Sequence, residues 1–184
     1  MRIIAGTARG RKIDAPEGIH TRPTLDRVRE NLFNILQNRT RDSRVLDLFA
    51  GSGALSLEAL SRGAAHAVLV DSDRNASRVQ RKNLEQLGMD DRAEVFLCDW
   101  RKAAAELEKK DCRFDLVLLD PPYRMTDLRD VFAAMEKLIA PDGLIILEHE
   151  AKTEPVTGDL FEKADERRWG YCGIAFFRKK EMTE

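Results

Sequence analysis

The sequence predicts an α/β fold: a mostly parallel seven-stranded sheet with helices on both faces, preceded by a hairpin and a helix. Three observations carry this. From residue 44 onward, short apolar runs alternate with helical stripes, the pattern of βα units. The run 114–119 is nearly all apolar, as a strand covered on both faces is. The two ends break the rhythm with glycine-punctuated segments that suit antiparallel pairing.

In chain order, residues 2–14 read as two short strands around Gly6-Thr7-Ala8-Arg9-Gly10, a hairpin. Leu25, Val28, Leu32, Ile35 and Leu36 form a helical stripe that begins near Pro23-Thr24. Val45-Leu46-Asp47-Leu48-Phe49 is the first core strand, and it ends at Ala50-Gly51-Ser52-Gly53. A helix follows over 54–62, then a strand over 67–70. Ser72 is placed to cap the next helix, whose stripe is Ala76, Val79, Leu84 and Leu87 with Asn83 as a polar gap, and Gly88 stops it. A strand over 94–98, a helix over 102–110 and the strand 114–119 come next. A helix over 128–139 is stopped by Pro141-Asp142-Gly143 and followed by a strand over 144–147. Residues 169–178, with Tyr171, Ile174, Phe176 and Phe177, read as closing antiparallel strands.

The chain has 184 residues, 43% apolar and 34% charged, enough for one domain with its own core. No apolar run approaches the roughly 18 residues of a membrane span. The apolar stretch Ile3-Ile4-Ala5 is cut off by Arg9, too soon for a signal peptide. Three cysteines, Cys98, Cys112 and Cys172, are too few and odd in number for a disulfide framework, which points to a reducing cytoplasm. The net charge is −1, but residues 1–44 carry +5 and the remainder −6. A basic end on an acidic body fits a face that meets a polyanion, and equally a solvated helix after a mobile start.

The glycine turn after the first core strand is the first functional signal. Gly51 and Gly53 let the chain turn tightly and a ligand approach, beside the unpaired N–H groups of a helix start. An acid about 20 residues on would grip ribose hydroxyls, and Asp71 holds that place. Asp73 reads as a first-turn helix acid. The acidic Asp47 before the turn would repel a pyrophosphate but suits a cofactor whose amino-acid part is cationic, such as S-adenosyl-L-methionine. Asp99 has two readings, acceptor for an adenine amine or cap of the helix at Trp100.

Asp120-Pro121-Pro122-Tyr123 closes the fourth core strand, where ligands bind in open α/β sheets. The prolines have no N–H, so their carbonyls can face a ligand without a competing donor. Asp120 and the Pro121 carbonyl can accept the two hydrogens of an exocyclic base amine, which aims the nitrogen lone pair at an electrophilic methyl. Tyr123 can stack on the extracted base, worth about 1–3 kcal/mol.

The run from Val45 to Gly53 with Asp120-Pro121-Pro122-Tyr123 resembles the Rossmann-like class I S-adenosylmethionine-dependent amino-methyltransferases. Arg2-Ile3-Ile4-Ala5-Gly6, Arg9-Gly10-Arg11-Lys12, Thr21-Arg22-Pro23-Thr24, Asp26-Arg27-Val28-Arg29-Glu30 and Leu32-Phe33-Asn34 are similar to the RsmD family. The resemblance covers essentially the whole chain, with Phe49 standing where many class members have glycine. It implies a single domain, with a basic RNA-binding extension over 1–43 and a catalytic core over 44–184. It implies N2 methylation of a guanine in 16S ribosomal RNA, guanine 966 in the family's usual naming, on the small ribosomal subunit or an assembly intermediate, by a cytoplasmic monomer without a metal.

The roles it implies are specific. Asp47, Phe49, Gly51 and Gly53 would surround the methionine end of the cofactor, Asp71 the ribose, and Asp99 with Trp100 the adenine. Asp120, Pro121, Pro122 and Tyr123 would hold the target guanine. Arg9, Arg11, Lys12, Arg22, Arg27, Arg29 and Arg124 would meet RNA, although Arg124 also reads as a solvated loop residue.

Other residues have plainer readings. His20, His66 and His149 have no partner at metal-ligand spacing. Cys98 reads as a core thiol, and Trp169 and Tyr171 as sheet residues. No nucleophile-elbow spacing is present. The competing readings are an N6-adenine DNA methyltransferase, which usually needs an added recognition domain, a non-catalytic nucleic-acid-binding module, and more distantly an NAD oxidoreductase.

Overall fold

The computed structural model describes residues 1–17 and 23–180, with side chains from residue 25 in the second stretch. Its elements are α1 (Pro23–Ile35), α2 (Gln37–Thr40), β1 (Arg44–Asp47), α3 (Ala54–Ser61), β2 (His66–Asp71), α4 (Arg74–Leu87), β3 (Ala93–Leu97), α5 (Trp100–Lys109), β4 (Phe114–Leu119), α6 (Arg129–Met135), β5 (Ile139–Glu150), β6 (Phe161–Trp169) and β7 (Cys172–Lys179). A short 3-10 turn, Asp90–Arg92, precedes β3.

The strands form one seven-stranded sheet in the order β3-β2-β1-β4-β5-β7-β6. β1 to β5 run parallel, and β7 is antiparallel to both its neighbours. Because side chains alternate along a strand, the sheet feeds two cores. Val45, Leu116 and Leu118 pack with Leu32, Phe33, Leu57 and Leu84 under α1, α3 and α4. Leu46, Val117 and Leu119 pack with Leu107, Val131 and Phe132 under α5 and α6. Phe132 takes Phe161 and Phe177 edge-on, at 5.6 and 4.9 Å between centroids. Among the described residues, no helix is long and apolar enough to cross a membrane.

The N-terminal segment forms the expected hairpin only in part. Ile3 N donates to the Arg11 carbonyl, Gly10 N to the Ile3 carbonyl and Ile13 N to the Met1 carbonyl, around one antiparallel bridge, Arg2 with Lys12. The donors of Ile4, Ala5, Thr7 and Ala8 turn instead to α3. Ile4 and Ala5 donate to the two carboxylate oxygens of Glu58 at 2.9 and 3.0 Å. Thr7 N donates to the Ser61 carbonyl and Ala8 N to Ser61 Oγ. Gly6 makes this approach possible, since a Cβ there would lie 1.8 Å from the Ser61 carbonyl oxygen.

Four element boundaries also differ from expectation. Asp73, not Ser72, caps α4, its carboxylate accepting from Asn75 N. The sixth helix ends at Met135, and the Pro-Asp-Gly corner falls inside β5, where pairing with β4 shifts register between Phe114 and Leu116. Ile35 faces solvent, 44% exposed, at the last turn of α1. β6 begins at Phe161, well before the expected 169. It is an edge strand of mostly exposed charged residues, which carries no apolar alternation and discourages pairing with another sheet.

Candidate active site

At the carboxyl ends of the parallel strands lies a cleft of about 780 Å³. The loops after β1, β2, β3 and β4, the end of β5, Leu25 of α1 and Tyr171 from the β6–β7 turn wall it.

The turn after β1 is held from several sides. Gly51 N donates to Asp71 Oδ2 at 2.9 Å, Gln80 Nε2 donates to the Gly51 carbonyl at 2.7 Å, and Asn83 Nδ2 donates to the Ser52 carbonyl at 3.2 Å. Asn83, the polar gap in the α4 stripe, also exchanges two hydrogen bonds with the Asp14 backbone, and so ties the N-terminal segment to the turn. The two glycines do different work. Gly51 has φ +53, and a Cβ there would point into open space beside the cleft, room that a close-lying ligand can use. Gly53 has φ +79 and sits under Leu69, whose Cδ2 would be 2.8 Å from a Cβ. Gly53 is thus a packing glycine and does not wall the cleft, against its expected cofactor role.

Asp71 ends β2 facing the cleft, pinned by Gly51 N and by Asp73 N at 2.9 Å. Each carboxylate oxygen keeps a second lone pair for a ligand hydroxyl. Asp99 caps α5, accepting from Arg101 N at 2.9 Å, and also walls the cleft. Trp100 lies in the wall under the Arg101 guanidinium, 4.5 Å from its ring. Phe49 lines the opposite side of the Gly51 turn. Cys98, just past β3, is half-buried: it packs against the core under α5 and α6, as expected, and also walls the cleft.

Asp47 is a partial correction. It is 1% exposed and does not line the cleft. Ser56 Oγ donates to its Oδ2 at 2.7 Å, while Oδ1 is buried with no hydrogen-bond partner. Burial, with the nearby Asp71 charge, pushes its carboxyl up to about 7. The unfolded carboxyl ionises near pH 4, so ionising Asp47 between there and neutrality costs folded-state stability. Asp47→Asn is therefore expected to raise the thermal midpoint at pH 8, with the gain shrinking to nothing by pH 4. A pH-independent difference in calorimetry would refute this.

Asp120 ends β4, reached by solvent through the cleft yet surrounded by protein. Burial, then the Glu148 and Asp47 charges, hold its carboxyl well above the usual range. The Pro122 carbonyl accepts from Met125 N at 2.8 Å, so it is turned away from ligand duty. Tyr123 is 41% exposed in the cleft wall, beside Glu148. Glu148 was missed in the sequence: unlike Asp71 and Asp120 it lies within its strand, two residues before the end of β5, with no turn residue after it to mark it. Tyr171, expected in a strand, sits in the β6–β7 turn and walls the cleft.

Arg9, Arg11, Lys12 and Arg27 are exposed, Arg11 donating to the Gln86 carbonyl. Arg124 is exposed at the cleft. Arg22 lies outside the described residues. Arg29 is a correction: it is 4% exposed, and its guanidinium donates to the Arg2 carbonyl at 2.6 Å and to Asp26, with Glu58 3.6 Å away. A guanidinium so enclosed braces α1 against the N-terminal segment rather than meeting phosphate. Among the described residues, no group of three or more His, Cys, Asp or Glu is arranged to hold a metal ion.

These residues fit a nucleoside with a cationic amino-acid tail. The open space at Gly51 admits it, the Asp71 carboxylate suits its diol, and the unpartnered Asp47 Oδ1 leaves negative potential behind the turn. Strand order, a reversed last strand and a cleft at the carboxyl ends are those of the class I methyltransferase fold. The solved structure of yhhF from Escherichia coli superposes with a TM-score of 0.84 at 36% identity, covering 98% of each chain. YlbH of Bacillus subtilis is 38% identical over 98% of this chain and 100% of its own. Ribosomal RNA small subunit methyltransferase D of Escherichia coli is 42% identical over 83% of this chain and 76% of its own. The family described as conserved hypothetical protein 95 matches residues 1–178, and the chain belongs to it, the RsmD family.

Proposed function

We propose that this chain transfers the methyl group of S-adenosyl-L-methionine to the exocyclic N2 of one guanine in 16S ribosomal RNA, guanine 966 in the family's usual naming, on the small subunit or an assembly intermediate. The observation that carries this is the acceptor corner of Asp120 and Pro121 at the end of β4, facing the same cleft as the Gly51 turn and Asp71. The cofactor, when bound, supplies an electrophilic sulfonium methyl. Asp71 holds the ribose, Asp99 and Trp100 flank the adenine, and the Gly51 turn with Asp47 behind it receives the amino-acid end.

The target guanine leaves its stack to enter the cleft. Tyr123 covers its face. Asp120 and the Pro121 carbonyl accept the two N2 hydrogens and fix the lone pair in line with the methyl. As N2 gains the methyl it becomes acidic and must lose a proton. The raised proton affinity of Asp120 suits it to take that proton and pass it to the solvent that reaches it. Positioning of two bound reactants supplies most of the acceleration.

The exposed Arg9, Arg11, Lys12 and Arg27 serve the RNA backbone. Replacing Arg9 and Lys12 together by alanine is expected to weaken RNA binding and to flatten the plot of log affinity against log salt by roughly 0.7–0.9 per lost phosphate contact. An unchanged slope would remove those side chains from the interface.

The test of the function is methyl transfer from labelled S-adenosylmethionine to unmodified small subunits, their naked RNA and duplex DNA, followed by nucleoside analysis. N2-methylguanosine from the ribosomal material supports the reading. N6-methyladenine in DNA, or cofactor binding with no transfer to any substrate, overturns it.

A further inference from the structure

Asp120 has an acidic neighbour that the reaction as described does not use. Leu119 of β4 pairs in register with Leu147 of parallel β5, so Asp120, just past β4, and Glu148, within β5, follow side by side. Adjacent strands lie about 4.8 Å apart. Both carboxyls line the cleft, and both also line the smaller cavity of about 170 Å³ beneath α1. Glu148 lies beside Tyr123 and Cys172. A carboxylate offers about four acceptor sites, enough to take a ligand donor. Burial raises the proton affinity of both acids, and the Glu148 charge adds to it at Asp120. Such a pair is well used by a ligand that brings two adjacent donors.

Guanine carries adjacent donors, N1–H and N2–H2, on its Watson–Crick edge. Adenine and cytosine pair an amine with an unprotonated ring nitrogen, an acceptor that would face a carboxylate lone pair. We propose that Glu148 is the specificity-determining residue of this cleft, accepting N1–H of the target guanine while Asp120 and the Pro121 carbonyl accept the N2 hydrogens. This rests on the guanine-N2 reading above. The glutamate side chain is one methylene longer than that of Asp120, the reach needed for the donor deeper along the base edge. Glu148 also neighbours Tyr123, so the base-edge contact and the stacking ring lie side by side in the cleft.

The probe is 2-aminopurine, which keeps the 2-amino group but presents N1 as an acceptor. Target RNA is prepared with guanine or 2-aminopurine at the modified position, and incorporated into reconstituted subunits if naked RNA is not turned over. Wild type on guanine comes first: no N2-methylguanosine there overturns the guanine-N2 reading itself, and this proposal with it. Given that activity, wild type is expected to prefer guanine by roughly 10- to 100-fold in kcat/KM, the size of a specific base-edge contact.

In Glu148→Gln the amide can turn an N–H toward N1. Its guanine turnover is expected to fall while 2-aminopurine binding, read from the fluorescence of that base, tightens, so that the preference shrinks by at least 10-fold. Glu148→Asp, which keeps the charge but withdraws it, is expected to lose guanine turnover without gaining on 2-aminopurine. A ratio of guanine to 2-aminopurine unchanged in both variants overturns the assignment, because damage to the fold lowers both substrates together.

Discussion

Asp120→Ala is expected to keep S-adenosylmethionine binding and to lower methyl transfer by roughly 10²–10³-fold, the usual loss when one group aimed at developing charge is removed. Asp120 is placed for the base, not for the cofactor: it ends β4, while the cofactor-side residues Gly51 and Asp71 follow β1 and β2. Without it the N2 hydrogens have one acceptor fewer, the lone pair is free to rotate away from the methyl, and the surplus proton has lost its acceptor. Calorimetric titration with the cofactor and labelled transfer to RNA separate the two effects. Unfolding is excluded by a stability measurement. Asp120 is exposed to solvent at the cleft, so the alanine variant should be about as heat-stable as the wild type at pH 8. Turnover retained within a few-fold sinks the assignment of Asp120.

Glu58→Gln is expected to lower stability by about 3–5 kcal/mol, the cost of breaking a buried ion pair by removing one partner's charge. For a chain of this length that is a fall in thermal midpoint of about 10 °C. Glu58 is fully buried on α3 and accepts from three donors, the Ile4 and Ala5 amides and Arg62 Nε at 2.9 Å, with the Arg29 guanidinium as a second ion-pair partner at 3.6 Å. An amide in its place has a single acceptor oxygen and turns an NH2 against one of those donors. Arg29 is then left charged and enclosed. RNA affinity should fall further than cofactor affinity, since the exposed Arg9, Arg11 and Lys12 ride on the loop that Glu58 holds. A midpoint shift below about 2 °C, under 1 kcal/mol, shows that the network is not structural.

Much of this site follows from local rules that a sequence displays. The strand Phe114–Leu119 is a continuous apolar run, and its end at an acid and two prolines places Asp120 at the carboxyl edge. Asp71 follows from spacing, and Gly88 adopts the left-handed conformation that ends α4. The misses are matters of three-dimensional partnership. Arg27 and Arg29 look alike in a basic helix, but a side chain two positions on points to another face, and there Glu58 waits, 29 residues further along the chain. Gly51 and Gly53 share φ > 0, yet only what stands opposite distinguishes room for a ligand from contact with Leu69. Glu148 acquires meaning only from strand register, which sets it beside Asp120.

The position of β7 has a consequence for how the chain can be completed. The last strand is an interior one, flanked by β5 and β6. At the other end, Ile4, Ala8 and Asp14 find partners for their backbone donors on Glu58, Ser61 and Asn83. A nascent chain therefore cannot settle from its beginning forward. Its opening segment waits for more than half the protein's helices, and the strip of sheet beside Glu148 stays open until residues 172–179 emerge and insert. A truncation before Cys172 removes a central plank and strands β6, so the cleft is assembled only when both ends of the chain have been fastened.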